Sequence, residues 1–228
     1  MARTRSRLEL ARERMYRDLV FESAEHVIAE RGLEATTMQE IAGEAGISLR
    51  TLYAAFPSKE DLVAEVQRVR GEGIVALIAE GMDAAEDGPL ARLAGGVRGY
   101  VDFLLSHPSF LRIHLREGRA WGLEPRTGDT AGWRTGLGRF AEILRAGMAQ
   151  GLFHDGDPDF LALLGAAVMQ VHMARIVRAT PQDAEAMASE ILQHLHRLFC
   201  KPHAEGAAAS AIRAPAPLET PVPARLGP

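Results

Sequence analysis

The residues of this 228-residue chain whose types and spacing could do chemistry gather between Thr37 and Lys59. Thr37, Ser48 and Lys59 stand at helix starts, where free backbone N–H groups and the helix dipole favour an anion such as a phosphate. Between them Ile41, Ala42, Ala45, Ile47, Leu52 and Phe56 have the spacing to pack inward, which leaves Leu49, Arg50, Thr51, Tyr53, Ala54 and Ala55 facing outward. A guanidinium at the start of such a helix, that of Arg50, can bridge O6 and N7 of a guanine. The Tyr53 hydroxyl, one turn further on, can donate to a phosphate oxygen. Singly, Thr37 and Ser48 are explained as helix caps and Arg50 as a surface arginine paired with a carboxylate. Together they describe a clamp on a nucleic-acid backbone around a reading helix.

The elements that must position these residues are legible from the same stretch. Thr37-Met38-Gln39-Glu40 is a capping box that opens a short helix through Ala45. Gly46 ends it, and Ser48 caps the next helix, which runs to Phe56. Pro57 breaks the chain, and Ser58-Lys59-Glu60-Asp61 starts a long helix through Ala79 or beyond. Upstream, Val20, Phe21, Ala24, Val27 and Ile28 form one face of a helix from Arg12 to Arg31 that Gly32 stops. Two short helices around a glycine-containing turn make a helix-turn-helix, whose second helix is narrow enough to enter the major groove.

Beyond the break at Asp87-Gly88-Pro89 the 3.6-residue periodicity continues almost to Phe199, with no alternating run of period two, so the fold class is all-α. Apolar stripes predict helices from Leu90 to Leu105, from Ser109 to Glu117, from Trp133 to Met148, from Pro158 to Arg178 and from Gln182 to Phe199. Gly118 to Gly132 reads as irregular. From Lys201 onward the Ala- and Pro-rich composition predicts a flexible tail.

Composition is that of an ordinary globular protein, 47% hydrophobic and 25% charged. The single cysteine, Cys200, excludes an intramolecular disulfide. No signal peptide and no apolar run of transmembrane length stands out, which predicts a soluble, cytoplasmic protein without a membrane partner. The net charge of −4 argues at first against nucleic acid, but Arg3, Arg5, Arg7, Arg12, Arg14 and Arg17 face only Glu9 and Glu13, so the N-terminal arm is locally positive.

The run from Ala29 to Leu62, AERGLEATTMQEIAGEAGISLRTLYAAFPSKEDL, strongly resembles the DNA-binding domain of the TetR family of bacterial regulators. The resemblance implies a three-helix DNA-binding head over residues 14–74, with its helix-turn-helix at 37–56. It further implies a helical ligand-binding and dimerisation domain over 88–200, ahead of the tail at 201–228. The function implied is that of a homodimeric repressor on a palindromic double-stranded DNA operator, released by a small-molecule effector and needing no cofactor. By family position Thr37, Ser48, Arg50, Thr51, Tyr53 and Lys59 contact DNA, and Leu49 and Ala54 share the reading face. The last two helices look like the pair that forms a four-helix dimer interface. Ala55 departs from the histidine or larger polar residue that often precedes Phe56 in the family.

For the effector, Phe103, Phe110, Trp121, Trp133 and Met148 are candidate pocket residues, with His107, His114 and His172 as polar anchors, although such residues at helical spacing also build cores. His194, His196 and Cys200 do not make a metal site, because positions 194 and 196 point to different sides of a helix. Two other classes compete. An interaction module would favour acidic residues in place of Arg50 and Lys59, and an enzyme would favour a catalytic motif such as H-E-x-x-H, paired E-x-x-H, G-x-S-x-G or a phosphate-binding Gly-rich loop; none occurs.

Overall fold

A computed structural model describes residues 7–85, 88–116, 131–180, 183–204 and 206, without the side chains of 7–11, 13 and 131–133. The helices in chain order are α1 (Arg7–Arg31), α2 (Met38–Glu44), α3 (Leu49–Ala55), α4 (Lys59–Ala84), α5 (Pro89–Ser106), α6 (Pro108–Arg116), α7 (Ala131–Ala149), α8 (Pro158–Ile176) and α9 (Ala184–Phe199). Among the described residues the only extended pairing is the isolated bridge Phe153–Cys200, as the all-α reading requires. α1 begins five residues before the expected Arg12, since the Arg- and Glu-rich segment ahead of it contains no helix breaker. It stops at Gly32, whose φ of 89° is open to a glycine at no steric cost.

The chain forms two compact units. The first comprises residues 1–72 and 107–122, so that α6 belongs with the helix-turn-helix; the second comprises residues 73–106 and 123–228, and α4 is shared between them. The linear partition at residue 88 therefore does not coincide with the packing.

In the first unit Val20, Phe21, Ala24 and Val27 of α1 meet Met38, Ile41 and Ala42 of α2, Leu52 of α3 and Leu62 and Val66 of α4 in one buried cluster. Phe21 and Phe56 close it with ring centroids 6.0 Å apart. α6 is fastened to the end of α1 by charge: Arg112 pairs with Glu30 at 3.3 Å, and Arg116 reaches the carbonyls of Ala29, Glu30 and Arg31 at 3.4–3.5 Å. Those carbonyls are the orphan acceptors of a helix C-terminus, where a cation is favoured.

In the second unit small residues let α4 and α5 touch backbone to backbone. A Cβ on Gly81 would fall 2.2 Å from the carbonyl oxygen of Gly95, and one on Gly99 would fall 2.3 Å from that of Leu77. α5 is tied to α9 by two bonds from Arg98 to Glu185 at 3.1 and 3.0 Å, and to α8 by the Tyr100 hydroxyl, which donates to the Met169 carbonyl at 3.2 Å. Burial pushes the Tyr100 phenol well above its ordinary pKa, so it is a permanent donor.

Two expectations need correction here. The tail does not begin at Lys201, because Lys201 N–H donates to the Leu152 carbonyl at 2.9 Å, His203 to that of Gly151 at 3.0 Å, and Ala204 is buried in a 3-10 turn. The loop at 151–155 supplies acceptors that composition alone does not reveal. The second correction concerns α8, which by length and composition is apolar enough to cross a membrane, with only 33% of its apolar window buried within the chain. Its charged residues fall at the two ends, Asp159 and Arg175, and leave the apolar middle uninterrupted by charge.

Candidate nucleic-acid interface

The reading surface is built by caps. The Thr37 hydroxyl accepts from Glu40 N–H at 3.3 Å, and the Glu40 carboxylate accepts from Thr37 N–H at 3.0 Å and from its hydroxyl at 2.9 Å. These bonds, with Arg31 paired to the same carboxylate, hold the Glu40 carboxyl below its ordinary pKa. α2 ends in a turn in which Gly46 adopts a φ of 65° and Ile47 N–H bonds to the Ala42 carbonyl at 2.9 Å, the arrangement that satisfies the last carbonyls of a helix. Ser48 then starts α3: its hydroxyl accepts from Thr51 N–H at 3.1 Å and shares a 2.6 Å bond with the Thr51 hydroxyl.

α3 is anchored by Leu52, which is wholly buried, while Leu49, Arg50, Thr51, Tyr53, Ala54 and Ala55 are exposed. Ile41, Ala42, Ala45 and Phe56 are buried and Ile47 is partly so, hence the inward and outward sets are those that the spacing predicts. Among the described residues nothing bonds to the Arg50 guanidinium or the Tyr53 hydroxyl, so the surface ion pair that would explain Arg50 blandly is absent.

Lys59 is placed differently from the phosphate contact expected of it. Its ammonium donates to the carbonyls of Leu33 at 2.9 Å, Thr36 at 3.0 Å and Glu34 at 3.4 Å, so its N–H groups are spent on the turn between α1 and α2. On the flank Arg12 and Arg14 are exposed, whereas Arg17 pairs with Glu65 and lies 5.4 Å from the Phe21 ring centre. Arg3 and Arg5 lie outside the described residues. Glu25 and Arg70, and the α6 arginines 112 and 116, were not singled out by sequence; their partners lie 45 to 87 positions away, beyond the reach of local periodicity.

Of the candidate effector residues, His107, Phe110 and His114 belong to the first unit and Phe103, Met148 and His172 to the second. Phe110 and His114, with ring centres 4.4 Å apart, line a void of only about 20 Å³ in the first unit with Glu25, Ile28 and Val66, room for a single water. His107 starts the same segment. Phe103, Met148 and His172 lie on α5, α7 and α8 of the second unit, where Phe103 is core, packed against Gly73, and His172 Nε2 meets His194 Nδ1 at 3.2 Å. Neither that void nor the open groove at Arg175, Arg178 and Met187 is lined by those three. Trp121 and the Trp133 side chain lie outside the described residues. Among the described residues no three potential metal ligands gather.

Comparison with known proteins places this geometry. The profile of the bacterial regulatory proteins of the tetR family matches residues 20–66, which span the second half of α1 through the first turns of α4. The HTH-type transcriptional repressor KstR2 of Mycobacterium tuberculosis is 34% identical over 107 residues, 47% of this chain and 53% of that relative, so the match spans about half the relative's length. The solved structure of the ketosteroid transcriptional regulator KstR2 of the same organism superposes with a TM-score of 0.67 at 26% identity, covering 81% of this chain and 95% of that one. A tetR-family regulatory protein from Rhodococcus RHA1 shares the fold alone, with a TM-score of 0.65 at 23% identity over 82% of this chain and 98% of its own. Residues 20–66 thus form a helix-turn-helix domain of the tetR family of bacterial regulatory proteins, within an all-helical chain whose fold is shared with these proteins.

Proposed function

We propose that the chain is a transcriptional repressor that reads a near-palindromic operator as a homodimer and lets go when a small molecule binds. The observation that carries this reading is the outward face of α3, where Arg50 and Tyr53 stand exposed and uncommitted at the end of a helix fixed by Ser48 and Leu52. Polar groups held ready and left without intramolecular partners suit base edges and phosphates. Thr37, Ser48, Leu49, Thr51 and Ala54 complete the contact surface, and Lys59 supports it from behind. The protein acts where its DNA is, in the cytoplasm.

The homodimer is supported by α8 and α9. Phe160 and Val171 are 61% and 57% exposed on a helix otherwise apolar, and Leu198 is exposed on α9. An apolar stripe of this kind on a DNA-binding protein is covered by a second copy, whose two-fold axis would set the heads about 34–36 Å, or a multiple, apart on the DNA.

The effector is an apolar metabolite, for which ketosteroids are the first class to try because the KstR2 regulator, named for them, shares the fold over most of its length. Electrophoretic mobility shift of the chain's own upstream DNA, repeated with ketosteroid catabolites, tests the reading: a two-fold footprint abolished by ligand supports it. No shift on that DNA and no palindrome enriched from random sequence would sink it.

A further inference from the structure

We propose that Lys59 is a positioning residue, which sets the angle at which α3 meets DNA by clasping the turn between α1 and α2, and does not itself neutralise a phosphate. The inference rests on the DNA-reading function above and deepens it. An ammonium has three N–H donors, and here three carbonyls of one turn, Leu33, Glu34 and Thr36, lie within 3.4 Å of Nζ. No backbone N–H among the described residues reaches these carbonyls, so the lysine satisfies acceptors that the fold leaves open.

Its location adds weight. Lys59 is the first residue of α4, where the dipole disfavours a cation, so the carbonyl contacts must offset that placement. The turn it grips ends at Thr36, whose hydroxyl is itself tied to the Gly32 carbonyl at 2.8 Å, and the next residue, Thr37, is the cap of α2. Fixing the Thr36 carbonyl therefore fixes where α2 begins. Because α2 and α3 share the core at Ile41, Ala42 and Leu52, the clasp is transmitted to the reading helix through packed side chains.

Salt dependence separates the two roles. A lysine bound to phosphate releases a counterion, so its removal lowers the slope of log affinity against log salt by about 0.9 for each head on DNA; a clasp releases none. Lys59→Met keeps the apolar stem and removes the donors. On the duplex that the wild-type protein enriches from random sequence, at a temperature where circular dichroism shows both proteins folded, it is expected to bind on the order of tenfold more weakly with an unchanged slope. In the free protein the amides of residues 37–41 are expected to exchange faster with solvent. A reduced slope would overturn the proposal, and so would full affinity in the folded variant. If Lys59→Met does not fold, Lys59→Arg decides: it keeps the charge but cannot converge three donors on the turn, so weaker binding at constant slope supports the clasp and wild-type affinity overturns it. If the wild-type protein enriches no DNA, the repressor reading fails, and the exchange rates alone then support the clasp by rising or overturn it by staying constant.

Discussion

Glu25 of α1 and Arg70 of α4 face each other through two parallel hydrogen bonds, at 2.9 and 3.0 Å, with only 4% and 12% of their side chains exposed. The pair joins the two helices between which α2 and α3 are suspended. Removing one partner leaves the other as a buried, uncompensated charge. Arg70→Ala should therefore cost about 3–5 kcal/mol in urea unfolding, while the double replacement by Glu25→Leu and Arg70→Met should recover most of that loss. Equal losses in the single and double variants would show that the pair is not what joins α1 to α4.

Glycines give a contrast of opposite sign. A Cβ on Gly95 would lie 1.9 Å from the Gly81 carbonyl oxygen, which can be relieved only by moving α4 from α5, whereas one on Gly43 of α2 meets nothing within 4 Å. Gly95→Ala should lower the melting temperature or prevent folding. Gly43→Ala should raise stability by about 0.5–1 kcal/mol, since an open helical glycine is conformationally costly. Thermal melts of both variants check the pair of signs.

Acid should loosen the second unit before it titrates most carboxylates. Burial alone pushes His196 down to about 4, and burial also lowers His172, with the neighbouring His194 and Arg175 acting in the same direction and Glu190 against it. A histidine with a depressed pKa binds its proton more readily when unfolded. Its contribution is thus fully present above the unfolded value of about 6.5 and is lost as pH falls toward 4. For His196 the loss is on the order of 3 kcal/mol. Urea midpoints measured from pH 7.5 to 4.5 should fall steeply in the wild type and more gently in His196→Leu; parallel curves would remove the histidine from the account.

If the exposed face of α8 and α9 is covered by a second copy, a charge placed there should separate the copies. Val171→Asp and Leu198→Asp should sediment as monomers, keep their helix content, and lose operator affinity far more than affinity for a single half-site. A monomeric wild-type protein with full operator affinity would contradict the dimer.

Much of the head was legible because its signals are local. Thr37 with Glu40, Ser48 with Thr51, and the glycines 32 and 46 act over three or four residues, and the spacing of Ile41, Ala42, Leu52 and Phe56 sorted inside from outside without error. What could not be read depends on distant partners. Nothing near Lys59 in sequence tells that its ammonium turns back to Leu33, and nothing near Phe110 tells that α6 packs with α1. The effector residues are not legible locally for a related reason: aromatic and histidine side chains at helical spacing serve a core as well as a cavity, and Phe103 is buried.

The central claim is that Arg50 reads a base, and it is tested most directly by selecting DNA from a random library with the wild-type protein and with Arg50→Ala. The wild type should enrich a near-palindrome with a fixed guanine in each half-site. The variant should lose about 1–3 kcal/mol on that DNA, lose the guanine preference at that position alone, and bind random DNA almost as before. Equal losses on selected and random DNA, with the guanine preference intact, would contradict the account.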